Sequence, residues 1–196
     1  MKNIETYITK REKGAITLNR INNGRIHIIL VLGLIFLFTF SSKALLEEKH
    51  TPLIKDNEEV IFSFQMKNSD KIMTIATTPT QSYLVYRYGT KDNIELEFPE
   101  NKKYSWDQFT YSFYFRASGV SGGYGLDLKY LTFKNYSYTY EIYDEYSMQD
   151  DSQSIGIRIV NDKTGEEFNI AGDPDTTIGY LDRLQDHKLI ETEWAG

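Results

Sequence analysis

The chain has 196 residues, of which 40% are hydrophobic and 26% charged, so it is not a wholly disordered chain. Its length suits one folded domain with an appendage. With Cys 0 and His 3, disulfides, thiolate metal sites and cysteine nucleophiles are excluded, and the net charge of −6 argues against nucleic acid as a partner.

The charge is divided along the chain. Residues 1–25 carry six bases (Lys2, Lys10, Arg11, Lys13, Arg20 and Arg25) against two acids (Glu5 and Glu12). The remaining residues carry 16 bases against 26 acids. The sign changes across Ile26–Phe40, IHIILVLGLIFLFTF, a run without formal charge. Extended through Ser42 it makes a helix of about 26 Å, near the lower limit for crossing a bilayer. Lys43 can snorkel to the interface and let the helix continue to Ala44. The segment 26–44 therefore reads as a transmembrane signal-anchor embedded in lipid. A cleaved signal peptide, cut after Ala44 behind Ser42, is the competing reading. The 25-residue basic stretch before the run is long for a signal peptide and favours the anchor. The excess of Lys and Arg on the N-terminal side places 1–25 in the cytoplasm and the rest outside it. In a bacterium this means the inner membrane, with a periplasmic or extracellular domain.

Residues 45–57 are polar, contain Pro52 and read as a linker. From 58 to 196 the apolar period is two. Val60, Phe62, Phe64 and Met66 alternate with Ile61, Ser63 and Gln65, and a turn at Lys67–Asp70 leads into Ile72–Thr77. A second hairpin joins Tyr83–Tyr88 to Ile94–Phe98 through Gly89–Asn93. Phe109, Tyr111, Phe113 and Phe115 share one strand face. After the glycine-rich stretch Ala117–Gly123 come Leu126–Phe133 and Tyr136–Tyr143, with Tyr136, Tyr138, Tyr140 and Ile142 on one face. Ile155, Ile157 and Ile159 alternate, and a turn at Asn161–Gly165 leads into Glu167–Ala171. Thr176 is placed to cap a C-terminal helix in which Ile178, Leu181 and Leu184 recur every third residue. The sum is an all-β domain of about nine strands, an antiparallel sandwich or small barrel, with one C-terminal helix.

Thirteen of the 15 tyrosines lie between Tyr83 and Tyr146. They suit either an aromatic binding face or the ordinary preference of tyrosine for half-wet strands. No His-based or Ser/His/Asp constellation is present in the local spacing, and no catalytic residue, metal ligand or cofactor is expected. The acids Glu141, Asp144, Glu145, Asp150 and Asp151 lack the calcium-loop pattern. Asn135-Tyr136-Ser137 matches the glycosylation acceptor pattern. Gly172-Asp173-Pro174-Asp175 reads as a turn entering a helix N-terminus. Ser118–Gly123 is glycine-rich without the lysine of a phosphate loop.

The stretch YLVYRYGTKDNIELEFPE (residues 83–100), the glycine segment entering Tyr124 and the pair Ile155–Ala171 resemble segments of a group of small exported bacterial β-domain proteins. The likeness covers about residues 59–190 and implies an exported β-domain with no catalytic residues. Cysteines common in that group are missing here. The loop Ser121-Gly122-Gly123-Tyr124 is similar to the Ser-Gly-x-x-Tyr loop that periplasmic inhibitors of c-type lysozyme insert into their target, and is one residue shorter. Functionally, the chain reads as a non-enzymatic binding domain displayed on a membrane anchor. Ser121, Gly122, Gly123 and Tyr124 are its candidate binding residues, and a basic protein is its expected partner. The alternatives are an envelope inhibitor or immunity-type protein against a basic hydrolase, and a hydrolase using carboxylates such as Asp173 and Asp175.

Overall fold

The computed structural model describes residues 51–119 and 123–194. The signal-anchor segment 26–44 and the site residues Ser121 and Gly122 lie outside the described residues. Among the described residues no helix is long and apolar enough to cross a membrane.

Among the described residues the fold is all-β, with eleven strands in two sheets. The smaller sheet is built from β1 (Glu59–Gln65), β2 (Ile72–Thr77), β3 (Leu84–Thr90), β4 (Asn93–Phe98) and the short β10 (Ile178–Gly179), in the order β10-β1-β2-β3-β4. The larger is built from β5 (Phe109–Arg116), β6 (Leu126–Asn135), β7 (Tyr138–Ser147), β8 (Ser152–Asn161), β9 (Glu167–Ala171) and β11 (Glu191–Trp194), in the order β11-β5-β6-β7-β8-β9. Neighbours pair antiparallel except β11, which lies parallel to β5.

Alternation explains the strands. In the larger sheet Phe109, Phe133 and Tyr140 stand in one cross-strand row, and Tyr111, Leu131, Ile142 and Ile157 in the next. These rows meet Phe62, Phe64, Met73, Ile75, Tyr86 and Phe98 of the smaller sheet in one core. Phe133 is the hub, stacked on Phe98 at 4.3 Å and on Tyr140 at 4.9 Å. A bridge from Met66 to Gly172 ties the sheets together, and Phe64 and Ile155 occupy the space a side chain at 172 would need.

Three sequence expectations change. A bulge at Ile61 interrupts the alternation of β1, so Ile61 joins the core and Val60, opposite Ala76, does not share the face of Phe62. Tyr136 is not in a strand. It occupies the two-residue turn between the paired ends Asn135 and Tyr138, with φ 55° and its ring exposed. The C-terminal helix is also absent. Instead, 3₁₀ turns at Pro174–Thr176 and Leu181–Leu184 flank β10, and β11 follows. A repeat of three is the period of a 3₁₀ turn, not of an α-helix. Gly179 has φ +78°, which interrupts any helix there, and its missing side chain leaves room for the Ile61 carbonyl. Leu181, Leu184 and Ile190 enter the core while Ile178 stays half-exposed.

The segment read as a linker, where it is described, lies over the outer face of the smaller sheet. Leu53 donates its N–H to Thr74 Oγ1 at 2.9 Å, and the Leu53 carbonyl accepts from Arg87 at 3.0 Å. Arg87, in mid-strand, is fully buried there and binds Glu58 through two bonds of 2.5 and 2.8 Å. Glu97 accepts from Arg87, Lys55 and Lys102, each at 2.7 Å. Burial alone would raise both carboxyls. The donors win, holding Glu58 below its ordinary value and Glu97 at about 2.

Candidate binding sites

Strand length positions the first site. β6, β7 and β8 have 10 residues each, whereas β1 to β4 have 6 or 7. Three extra residues amount to about 10 Å of strand. The inner face of the larger sheet therefore extends past its partner and changes character. Beyond the Tyr111 row stand Phe113, Lys129, Asp144 and Ile155, then Phe115, Asp127, Tyr146 and Gln153.

This end is acidic. Lys129 Nζ pairs with Asp127 at 2.6 Å and with Asp182, from the second 3₁₀ turn, at 3.2 Å. Asp144 is 8% exposed, and its carboxylate accepts from Gln153 Nε2 at 2.7 Å. Burial holds its carboxyl above the ordinary value. The Tyr111 hydroxyl is buried with no hydrogen-bond partner. Burial, followed by the fields of Asp182, Asp127, Asp144 and Asp186, pushes that phenol far up. Three acids, Asp127, Asp144 and Asp182, thus surround one lysine, beside a buried hydroxyl without a partner. Aromatic rings flank them: Phe113 meets Trp194 edge-on at 5.1 Å.

The glycine-rich loop borders this end, because it joins β5 to β6. Gly123 accepts a backbone bond from Gly119 at 3.0 Å. The Tyr124 carbonyl accepts from Arg116 Nε at 2.9 Å, and the Tyr124 ring is 56% exposed. Gly125 holds the loop to the β7–β8 turn through a 3.0 Å bond from Met148 N.

The other acids singled out from sequence do not converge. Glu141 and Glu145 lie on the outer face of the larger sheet, paired with Arg158, whereas Asp144 faces inward. Strand alternation separates them. Among the described residues no group of acids and histidines is arranged to hold a metal ion. Asp173 uses its carboxylate to accept the Asp175 N–H at 3.2 Å, closing the first 3₁₀ turn.

A second site was not visible in the sequence. Away from the acidic end, the sheets part around a cleft of about 320 Å³. Tyr86, Tyr88 and Leu96 line it from the smaller sheet, and Tyr140, Ile157, Ile159 and Ile170 from the larger. Phe168, 47% exposed, continues the Ile159 row beyond it. Glu95 lines the cleft and pairs with Lys71 at 2.8 Å, and Lys71 lies over the Tyr88 ring. The apolar residues were each readable as core, but which of them the opposite sheet leaves uncovered depends on how two sheets of unequal length meet.

No family model matches the chain, and no curated protein or solved structure matches it.

Proposed function

We propose that this chain is a single-pass membrane protein, N-terminus in the cytoplasm, displaying a non-enzymatic binding domain that captures a cationic group of a basic protein. The observation that carries the reading is the gathering of Asp127, Asp144 and Asp182 about the single Lys129, on the inner-face rows next to Tyr111. One lysine does not balance three carboxylates, and a lysine ammonium or an arginine guanidinium reaching the exposed Asp182 supplies further donors. The rings of Phe113 and Trp194 add faces that attract a cation. Long-range attraction by the acidic domain speeds encounter with a basic partner. The exposed Tyr124 at the edge of the same end favours, as a second reading, an inhibitor that seats this ring in the cleft of a basic hydrolase.

The test uses the full chain in bilayer nanodiscs as bait for envelope extract, alongside an Asp182→Asn/Asp186→Asn variant. Both positions are exposed, so the fold is retained. The native chain is expected to capture a basic protein with an association rate that falls as salt rises, and the variant to capture it more slowly. Capture that ignores both salt and the two substitutions would refute the cationic reading. For the topology, a reporter fused after Gly196 is expected to be active only outside the cytoplasm, and the purified protein to retain Met1. Recovery of a soluble form beginning at Leu45 would overturn the anchor.

A further inference from the structure

The apolar cleft is separate from the acidic end, and the proposed cationic partner does not occupy it. We infer that it takes one hydrocarbon chain of a bilayer lipid. This inference rests on the anchor reading above.

The cleft has the form such a guest needs. Its walls are aliphatic and aromatic on both sides, and its volume of about 320 Å³ lies in the range of small-molecule sites. Apolar surface continues outside it. Phe168, beyond Ile159 in the same cross-strand row, is 47% exposed. A guest longer than the cleft therefore still finds apolar contact. Charged groups are confined to one rim, and the other polar groups of the lining are the phenols of Tyr86, Tyr88 and Tyr140. Glu95 and Lys71 already neutralise each other, so no charge is left to select a charged guest. The aliphatic and ring surfaces of Leu96, Ile157, Ile159, Ile170 and the three tyrosines favour a hydrocarbon chain, and each methylene it buries raises affinity about fourfold.

The chain also brings lipid within reach. Six residues, 45–50, separate the end of the proposed span at Ala44 from the described domain. They reach at most about 20 Å. The segment that follows runs over the smaller sheet with a fixed direction. Glu58 sits beside Tyr83, at the start of β3. Leu53 sits beside Thr74 and Arg87, further along. Traced back toward residue 51, the chain therefore heads for the end of the sheet that carries Lys71, Tyr88 and Glu95. Tyr88 and Glu95 at that end line the cleft. A soluble apolar ligand would need no such arrangement, whereas a tethered lipid site depends on it.

The experiment uses the full chain in nanodiscs whose phospholipid carries a photoreactive group on one acyl chain. After illumination, labelled peptides are mapped by mass spectrometry. The expected result is labelling of 26–44 and, separately, of peptides carrying Tyr88, Leu96, Tyr140 or Phe168. Ile159→Glu places a carboxylate in the cleft and is expected to cut cleft labelling at least about tenfold while leaving 26–44 labelled. Leu96→Asp, on a half-exposed edge position, does the same if the first variant does not fold. Labelling confined to 26–44 overturns this inference and leaves the anchor standing. Labelling absent from 26–44 overturns the anchor reading and this inference with it. Labelling spread over exposed apolar side chains remote from the cleft, such as Leu189 and Tyr104, overturns the inference as non-specific contact.

Discussion

Replacing Arg87 with methionine is expected to be the most damaging conservative change in the smaller sheet. The guanidinium and the Glu58 carboxylate are both fully buried and joined by two bonds of 2.5 and 2.8 Å. Methionine fills the aliphatic space, so the loss comes from charge and hydrogen bonding rather than from a cavity. Glu58 keeps only the Lys55 N–H and the Tyr83 hydroxyl, both at 2.7 Å. The Leu53 carbonyl loses its 3.0 Å donor, and the segment over the sheet loses its central tie. Glu97 suffers less, because Lys55 and Lys102 still reach it. Stranding one buried charge costs about 3–5 kcal/mol. For a domain of this size that is a fall of about 6–20 °C in Tm. The assay is urea and thermal unfolding of the full chain, followed through the emission of the buried Trp106. The double variant Arg87→Met/Glu58→Gln removes the stranded charge and is expected to recover part of the loss. A cost below about 1 kcal/mol for the single variant, the worth of an exposed pair, would refute the reasoning. So would a double variant no better than the single one.

Three further outcomes follow from the same geometry. Tyr111→Phe removes a buried hydroxyl without a partner and is expected to leave the unfolding midpoint unchanged or raised. A loss of more than about 1 kcal/mol in unfolding would show the hydroxyl is bonded in the folded protein. Glu97 falls from an ordinary 4.5 to about 2, led against burial by the bond from Arg87. A lowered carboxyl contributes stability in full above its unfolded value, so the domain is expected to lose stability between about pH 5 and pH 2. That loss is expected to shrink in Glu97→Gln, and an identical acid limb in the two proteins would contradict it. Gly172→Ala drives a methyl into the Phe64 ring and Ile155 where the sheets join, and is expected to cost about 1–3 kcal/mol in the same urea titration. No measurable change would mean the Met66–Gly172 bridge is loose.

The strands were legible because alternation is a local property. Phe109 to Phe115 shows its two faces within seven residues, whereas bulges at Ile61 and Glu95, which sequence does not reveal, turn Val60 and Ile94 away from the faces of Phe62 and Leu96. The C-terminal segment was misread because a repeat of three apolar residues suits a 3₁₀ turn as well as a poor helix. The decisive residue, Gly179, acts through its positive φ and the approach of the Ile61 carbonyl. Arg87 gave no signal either. A charged residue in an alternating strand reads as solvent-facing, and only the return of residues 53–58 over that face buries it.

The same limit governs the sites. A period of two states which residues share a face, not what covers the face. In β7, Tyr140, Ile142, Asp144 and Tyr146 share one face, and along it the surroundings change from cleft wall to core to acidic end. The loop at Gly123 and Tyr124 was singled out for its glycines, yet the neighbouring acids come from β6, β7 and the second 3₁₀ turn. The cause is the surplus length of β6 to β8. A sheet longer than the one it packs against must leave inner-face residues uncovered. At one end the second 3₁₀ turn comes over the polar rows and completes an acidic site, while apolar residues elsewhere leave a cleft between the sheets. Both proposed activities thus follow from one mismatch in strand length, which appears only when two sheets are set against each other.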